Sequence, residues 1–272
     1  MESPEPTKLS KIKIGIAAIP ALLIVSICLA LYFGAQHEEV QDRPIEGEVT
    51  ISELVDYLKK LETMIGPRGF ANESELKALR QCASMIKGSL GPENLGYRIY
   101  QSQGEPQSGY LWETLWVNIG DVEGADPVIV AIPYGEGGVE VAFGLGLAEY
   151  YTSNPSTKAL QIVFYPPLIQ GAPANWIRQR ILNEGGDSGF IHIQSGGLEG
   201  KWATIRSTEQ HALLVEELVS RKGWSQGFVL DGKRETQNLI CLSGRPAGGR
   251  NEQAQILLRV MPFLRSLAEG LD

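Results

Sequence analysis

Residues 128–165 read VIVAIPYGEGGVEVAFGLGLAEYYTSNPSTKALQIVFY, a stretch in which two short apolar runs enclose a longer one. The first run, VIVAI, and the last run, LQIVF, have the length and the continuous hydrophobicity of strands that are buried on both faces of a sheet, and they predict strands at 128–132 and 160–165. The segment 139–151 between them is long enough for a helix. A strand, a helix and a strand in this order predict a parallel strand pair with a crossover helix.

The same alternation extends from this unit toward both ends of the chain. Thr50 and Glu53 have the spacing of a capping box ahead of an apolar stripe at helical spacing, and Gly66-Pro67 ends that helix. A second helix is predicted from Asn72 to Gly88. Further strands are predicted at 115–119, 190–194, 227–230 and 239–242, and further helices at 175–183, 209–221 and 251–268. We therefore predict an α/β domain over residues 49–272, a three-layer sandwich with a mainly parallel central sheet.

The first 48 residues have a different character. Residues 14–33 form an uncharged run of 20 residues, the length that crosses about 30 Å of hydrocarbon as a helix. Three lysines precede the run, so the positive-inside rule predicts that residues 1–13 lie in the cytoplasm. Residues 34–48 are polar and acidic, as expected of a tether. We predict a single-pass membrane protein with an extracytoplasmic domain. A cleaved signal peptide is the alternative, although the run is longer than a typical signal core and no clean small-x-small site follows it.

Charge and cysteine content exclude some classes of protein. The formal net charge of −8 argues against nucleic acid or an anionic membrane surface as a partner of the exported domain. Cys28 lies in the apolar run, which leaves Cys82 and Cys241 for the domain. These two lie on a predicted apolar helix face and a predicted apolar strand, which favours two buried free thiols over a bridge.

The ends of the two central strands are the places where a site is expected. In a parallel sheet, ligands bind outside the carboxyl ends of the strands. The first strand continues as PYGEGG at 133–138, and the second continues as PPLIQG at 166–171. The glycine-rich turn at 135–138 lacks the G-x-G-x-x-G pattern and is interpreted as a tight turn from strand to helix.

These segments resemble those of the co-catalytic zinc aminopeptidases, a family that includes bacterial leucyl aminopeptidases and glutamate carboxypeptidase. In that family the first strand reads approximately V-V-V-G-A-H-Y-D, and D-D-N-A-S-G-V leads into a helix rich in Leu and Ala. The next strand reads approximately F-V-x-F-x-x-E-E-x-G. This chain has V-I-V-A-I-P-Y-G, then V-A-F-G-L-G-L-A, then I-V-F-Y-P-P-L-I-Q-G. The segment GPRGFANESELKALRQCASMI also resembles the family's helix before the sheet. The resemblance covers roughly residues 50–195 and implies the fold of these enzymes.

The resemblance also implies that the family's zinc site is lost. Pro133 stands in place of the first histidine ligand, and Gly135 in place of its neighbouring aspartate. Leu168 and Ile169 replace a glutamate pair, one the general base and the other a metal ligand. Leucine and isoleucine can neither bind a metal nor accept a proton. Glu136 stands nearest to the bridging aspartate, after a shortened loop. We therefore expect no metal cofactor and none of the family's catalytic residues.

A second interpretation keeps a hydrolase or aminopeptidase with a re-sited active site. Such a site would draw on Glu136, Glu140, Asp187 and His192. The simpler interpretation of His192 is a strand residue that is hydrogen-bonded near the end of the sheet. No histidine follows His211, so the family's C-terminal ligand has no clear counterpart.

Members of the family that keep the fold without the metals favour a binding function. The transferrin receptor, nicastrin and the peptidase-like subunit of the glycosylphosphatidylinositol transamidase are likewise held in a membrane and exported. We expect a non-catalytic binding or assembly module whose partner is a protein or a peptide. The residues of the candidate ancestral cleft are Tyr134, Glu136, Glu140, Leu168, Ile169 and His192. A peptide- or sugar-binding pocket that also includes Tyr165 is a third interpretation.

Overall fold

Helices and strands alternate along the chain as the sequence pattern predicts. The computed structural model describes residues 47–107, 110–122, 127–135, 137–166, 190–194, 203–206, 217, 220, 228–230, 239–243 and 248–270. The helices in these ranges are α1 (Ile51–Lys59), which continues as a π-helical segment (Lys60–Ile65), α2 (Glu73–Leu90), α3 (Gly138–Ser153) and α4 (Arg250–Gly270). The strands are β1 (Tyr100–Gln107), β2 (Tyr110–Ile119), β3 (Val128–Pro133), β4 (Leu160–Tyr165), β5 (Phe190–Gln194), β6 (Ala203–Arg206), β7 (Phe228–Leu230) and β8 (Leu239–Ser243).

The described strands form one mixed sheet in the order β1-β2-β4-β3-β5-β8-β6-β7. Strands β4, β3, β5 and β8 are parallel to one another, while β2 pairs antiparallel with both β1 and β4. On the other side, β6 pairs antiparallel with β8 and parallel with β7. The predicted parallel sheet is therefore confirmed at its centre, and the two sides add antiparallel pairs.

Helix α3 is buried on all sides because small residues allow close packing around it. A Cβ atom on Gly144 would collide with Ile132 of β3 and with Phe164 of β4. A Cβ atom on Gly146 would lie 2.5 Å from Leu54 of α1 and 2.7 Å from Met261 of α4. One side of α3 thus packs on the sheet, and another side packs on two helices. Glycine inside a helix lowers its stability, but at these two positions the missing side chain allows the neighbouring elements to approach closely.

Both faces of the central strands are buried. Val128, Val130 and Ile132 belong to the large cluster that includes residues of α1, α2, α3 and α4. The intervening Ile129 and Ala131 belong to a smaller cluster on the opposite face, which also contains Val163, Tyr165 and the packed side of Trp116. This confirms the interpretation of VIVAI as a strand buried on both faces. The helix predicted at 175–183 and most of that at 209–221 lie outside the described residues, so the third layer stays a prediction.

The end of one helix and two strands differ from the sequence-based expectation. Helix α2 passes through Gly88 and ends at Leu90, where the amide of Gly91 donates to the carbonyl oxygen of Lys87 (2.9 Å). Burial of Leu90 offsets the helical cost of an exposed glycine. Strand β1 was not predicted because it is polar and contains glycine and proline, as an edge strand with a register shift can. Strand β6, with four residues, is too short to show a periodic pattern.

The first helix of the domain begins as predicted. The Thr50 hydroxyl accepts from the Glu53 amide (3.2 Å), and the Glu53 carboxylate accepts from the Thr50 amide (2.9 Å). Gly66, with φ of 77°, ends the π-helical segment in a conformation that favours glycine. None of the helices in the described ranges has the length and hydrophobicity needed to span a membrane. The predicted span at 14–33 lies outside those ranges.

Candidate functional site

The carboxyl end of β3 is closed by buried residues. Pro133 is the last residue of the strand and pairs in register with Tyr165 of β4. The amide of Tyr134 then donates to the carbonyl oxygen of Tyr165 (2.9 Å). The Tyr134 ring is completely buried, and its hydroxyl donates to the carbonyl oxygen of Glu113 in β2 (2.7 Å). The position that corresponds to the family's first histidine ligand therefore holds a buried proline. The tyrosine that follows it has its hydroxyl hydrogen-bonded to the backbone.

A buried arginine joins this strand end to the start of α3. The Arg68 Nε donates to the carbonyl oxygen of Tyr134 (2.9 Å), and Nη2 donates to that of Gly137 (2.8 Å). Its Nη1 donates to the carbonyl oxygens of Leu61 and Gly66, both at 3.1 Å. A buried guanidinium requires acceptors, and these carbonyl groups supply them. No sequence pattern identifies Arg68, because its role depends on contacts across up to 69 positions. The nearest signal was its place in the segment GPRGF.

Glu140 lies in the first turn of α3, three positions after the capping residue Gly137. Its side chain is buried, and a Cβ atom on Gly137 would lie 2.6 Å from its Oε2. A carboxylate at this position interacts favourably with the positive end of the helix dipole. Glycine at 137 leaves room for the carboxylate, which explains this glycine without a phosphate ligand.

His192 lies in β5 and pairs in register with Ala131 of β3 and Cys241 of β8. Its Nε2 is hydrogen-bonded to the Tyr165 hydroxyl, and the two ring centroids are 5.8 Å apart. Burial lowers the pKa of His192 to about 4, so the imidazole is neutral at pH 7. This confirms the simpler interpretation of His192 as a hydrogen-bonded residue near the end of the sheet.

The structure thus brings together part of the predicted cleft. Tyr134 and Tyr165 are joined through the backbone, and Tyr165 and His192 through their side chains. Glu136, Leu168, Ile169, Asp187 and His211 lie outside the described residues. Within the ranges that the structure describes, no three His, Cys, Asp or Glu residues are grouped so as to hold a metal ion.

The free thiol predicted at Cys82 is present. Cys82 is completely buried in α2, and burial raises the pKa of its thiol to about 11. Cys241 lies in β8 as predicted, with its side chain outside the described part.

Solved structures with the same fold include enzymes of two activities. A protein from Bacteroides vulgatus to which zinc-dependent exopeptidase activity is ascribed has 15% identity and a TM-score of 0.56, covering 84% of this chain and 99% of its own. A leucine aminopeptidase precursor from Bacteroides thetaiotaomicron has 10% identity and a TM-score of 0.52, with 84% and 100% covered. The glutaminyl cyclase of Tannerella forsythia has 11% identity and a TM-score of 0.55, with 83% and 100% covered.

Sequence comparison finds no such relatives, since neither a family model nor a curated protein matches the chain. The likeness at 10–15% identity therefore concerns the fold. The chain has the fold of the zinc-dependent exopeptidases, aminopeptidases and glutaminyl cyclases, which confirms the zinc-aminopeptidase-like fold that its strand-end segments predicted.

Proposed function

We propose that this protein is a non-catalytic, peptidase-like binding or assembly module, anchored by residues 14–33 with its domain outside the cytoplasm. The observation that carries the proposal is the closed carboxyl end of β3. In a zinc hydrolase, imidazole and carboxylate side chains must project from such strand ends to hold the metal and its water.

The residues at this strand end either lack a ligand atom or are hydrogen-bonded to the backbone. Pro133 offers no ligand atom, and the Tyr134 hydroxyl is bound to the Glu113 carbonyl oxygen (2.7 Å). The permanent positive charge of Arg68 lies at the same turn, held by the carbonyl oxygens of Tyr134 and Gly137. A fixed cation here repels a divalent metal ion in a site of low dielectric constant. In the sequence, Leu168 and Ile169 follow β4, so the residues after a second strand also lack metal-binding side chains.

We infer the class of partner from the net charge, and the place where it binds from the carboxyl edge of the sheet. A net charge of −8 disfavours nucleic acid, so we propose a protein or a peptide as the partner. In this fold, the carboxyl edge of the sheet is where ligands bind. We therefore propose this edge as part of the binding surface.

Metal and activity measurements on the full-length chain in detergent test the loss of catalysis. We expect less than stoichiometric zinc after dialysis against zinc, and no turnover of aminoacyl or N-terminal glutaminyl substrates. A zinc exopeptidase of the same fold, treated identically, is the positive control. Stoichiometric zinc together with turnover would contradict the proposal.

Extraction of membranes tests the anchor separately. We expect the full chain to stay in the membrane fraction at alkaline pH and a chain without residues 1–33 to be released. Protease added outside intact cells is expected to digest the domain. Release of the full chain at alkaline pH would exclude a spanning anchor.

A hydrolase with a re-sited centre is the second candidate, and the Tyr165–His192 pair favours it. A neutral imidazole that is hydrogen-bonded to a phenol can pass a proton along that hydrogen bond. This candidate predicts hydrolysis of some ester or amide in a substrate panel, lost in His192→Gln. Equal rates in both proteins would exclude it.

A further inference from the structure

The segment that enters the domain is fastened to the last turn of α3. The amide of Gly47 donates to the Thr152 hydroxyl (3.0 Å), and the Ser153 hydroxyl donates to the carbonyl oxygen of Gly47. Helix α1 follows at Ile51, after the capping box of Thr50. The contacts between this entry segment (47–59) and α3 therefore decide how the start of the domain is held.

One of these contacts joins two carboxyl groups. Glu53, in α1, uses Oε2 to accept from the amide (2.9 Å) and the hydroxyl (2.6 Å) of Thr50. The Glu53 side chain also hydrogen-bonds to that of Glu149 in α3. A hydrogen bond between two carboxyl groups requires a proton on one of them.

Glu149 is the group that cannot easily be charged. It is only 5% exposed, and its Oε2 is buried without a hydrogen-bond partner among the described residues. Ionising both groups would put a charge on the buried Glu149 side chain, beside the carboxylate of the exposed Glu53. The buried oxygen without a hydrogen-bond partner and the neighbouring Glu53 carboxyl group both favour a proton on Glu149.

We propose that Glu53 and Glu149 form a proton-operated latch, in which one shared proton holds the entry segment on α3 and its loss loosens that segment. With the proton present, Glu149 donates to Glu53 and the capping box is undisturbed. Without it, two carboxylates repel each other across the α1–α3 contact. The latch lies between the tether predicted at 34–48 and the core of the domain.

The surroundings of the pair contain further acidic and phenolic groups. Asp56 and Tyr57 lie on α1, and burial with the charges of Glu149, Glu53 and Asp56 raises the pKa of Tyr57. Tyr57 therefore stays neutral across the working range. On α3, Tyr150 and Tyr151 follow Glu149 in the chain.

Arg265, a cation in α4, has partners other than Glu149. Arg265 Nε lies 2.9 Å from Glu269 Oε1, and its Nη2 donates to the carbonyl oxygen of Pro155 (3.1 Å). The charges of Arg265 and Glu269 both affect the pKa of Tyr151, and so does the nearby Tyr97. Among the described residues, the charge that acts on Glu149 is that of Glu53.

The direction of the pH effect follows from the raised pKa. Burial, and then the charge and hydrogen bond of Glu53, raise the pKa of Glu149 from 4.5 to about 7. The folded state thus binds a proton that the opened state has released, so the latch weakens as pH rises from about 5 to about 7 and changes no further above that. Within this window the opening constant can rise by up to about tenfold for each pH unit.

Hydrogen exchange measured by mass spectrometry on the full-length chain tests the latch. After correction for intrinsic exchange, we expect opening of residues 47–59 to increase by tenfold or more between pH 5 and pH 8. Exchange of α2 (73–90) is the internal reference and is expected to change much less. In Glu149→Gln, whose amide can donate to Glu53 at every pH, the entry segment is expected to stay protected throughout.

Two further variants make the test decisive. Asp56→Asn removes an exposed carboxylate from the same helix and is expected to keep the pH dependence of the unmodified chain. Glu149→Met removes the charge without the hydrogen bond, so its exchange is expected to be independent of pH even if somewhat faster. Equal protection of residues 47–59 at both pH values in the unmodified chain would overturn the proposal. An unchanged pH dependence in either Glu149 variant would also overturn it.

Discussion

Arg68 Nη2 donates a 2.8 Å hydrogen bond to the carbonyl oxygen of Gly137, the residue that caps α3. The same guanidinium binds the carbonyl oxygen of Tyr134, directly after β3. One side chain therefore sets the position of the turn from strand to helix. This turn lies at the carboxyl end of a parallel strand, the edge of such a sheet at which ligands generally bind.

Replacement of Arg68 by methionine is expected to lower the free energy of unfolding by about 3–5 kcal/mol, since buried carbonyl oxygens lose charged donors. Arg68→Lys is expected to rescue only part of this loss, because an ammonium group cannot match the planar fork of a guanidinium. Urea unfolding measures both, with the exposed Arg80→Met as the control. A loss equal to that of the control would show that the hydrogen bonds do not stabilise the turn.

Gly144→Ala is expected to destabilise the fold by about 1–3 kcal/mol through overpacking. The new methyl group would meet Ile132 and would lie 2.7 Å from the Phe164 ring. Gly88→Ala in α2 is the matched control, because no atom lies within 4 Å of its added Cβ. The control is expected to gain about 0.5–1 kcal/mol from helix propensity. Thermal unfolding of the two variants should therefore shift in opposite directions.

The buried imidazole predicts sensitivity to acid. Burial lowers the pKa of His192 from 6.5 to about 4, so the unfolded chain binds a proton that the folded chain does not. The free energy of unfolding is therefore expected to fall as pH decreases from about 6.5 to about 4. His192→Gln should have a smaller slope over this range. An identical slope in both proteins would assign the acid sensitivity to other groups.

The pH effects of His192 and Glu149 oppose each other in global stability. His192 makes the fold more stable as pH rises, while Glu149 makes it less stable over an overlapping range. A flat pH profile of the unmodified chain would conceal both contributions. Relative to the unmodified chain, we expect the free energy of unfolding to rise more steeply with pH in Glu149→Gln and less steeply in His192→Gln. Denaturant titrations at several pH values measure both slopes.

Cys82 is expected to resist alkylation in the folded protein. Its side chain is completely buried, and the raised pKa of about 11 leaves little thiolate at pH 8. Reaction with iodoacetamide, followed by peptide mass analysis, should label Cys82 only after denaturant is added. Labelling of native protein at the rate of a free peptide would contradict the burial.

The sequence predicted those parts of the fold in which one local pattern is sufficient. The boundaries of β4 and β5 were predicted correctly because these apolar runs end at polar or turn residues. Strand β1 was not predicted, because it is polar and forms by pairing with its neighbour β2 and not from a local apolar pattern.

The candidate site divides in the same way. The absence of a ligand at Pro133 can be read from the chain, and so can the hydrogen bonding of His192. The contacts of Arg68 and of Glu149 cannot, because they join residues 69 and 96 positions apart, and no local pattern encodes such a distance.

Gly144 and Gly146 in α3 also have a consequence for how the sequence can vary. At Gly144 and Gly146, bare backbone sets the spacing to the sheet on one side and to two helices on another. A larger residue at 144 requires a smaller one at 132 or 164, and a larger residue at 146 requires a smaller one at 54 or 261. Homologues should therefore show compensating exchanges of volume at these positions, even where the strand-end residues have changed.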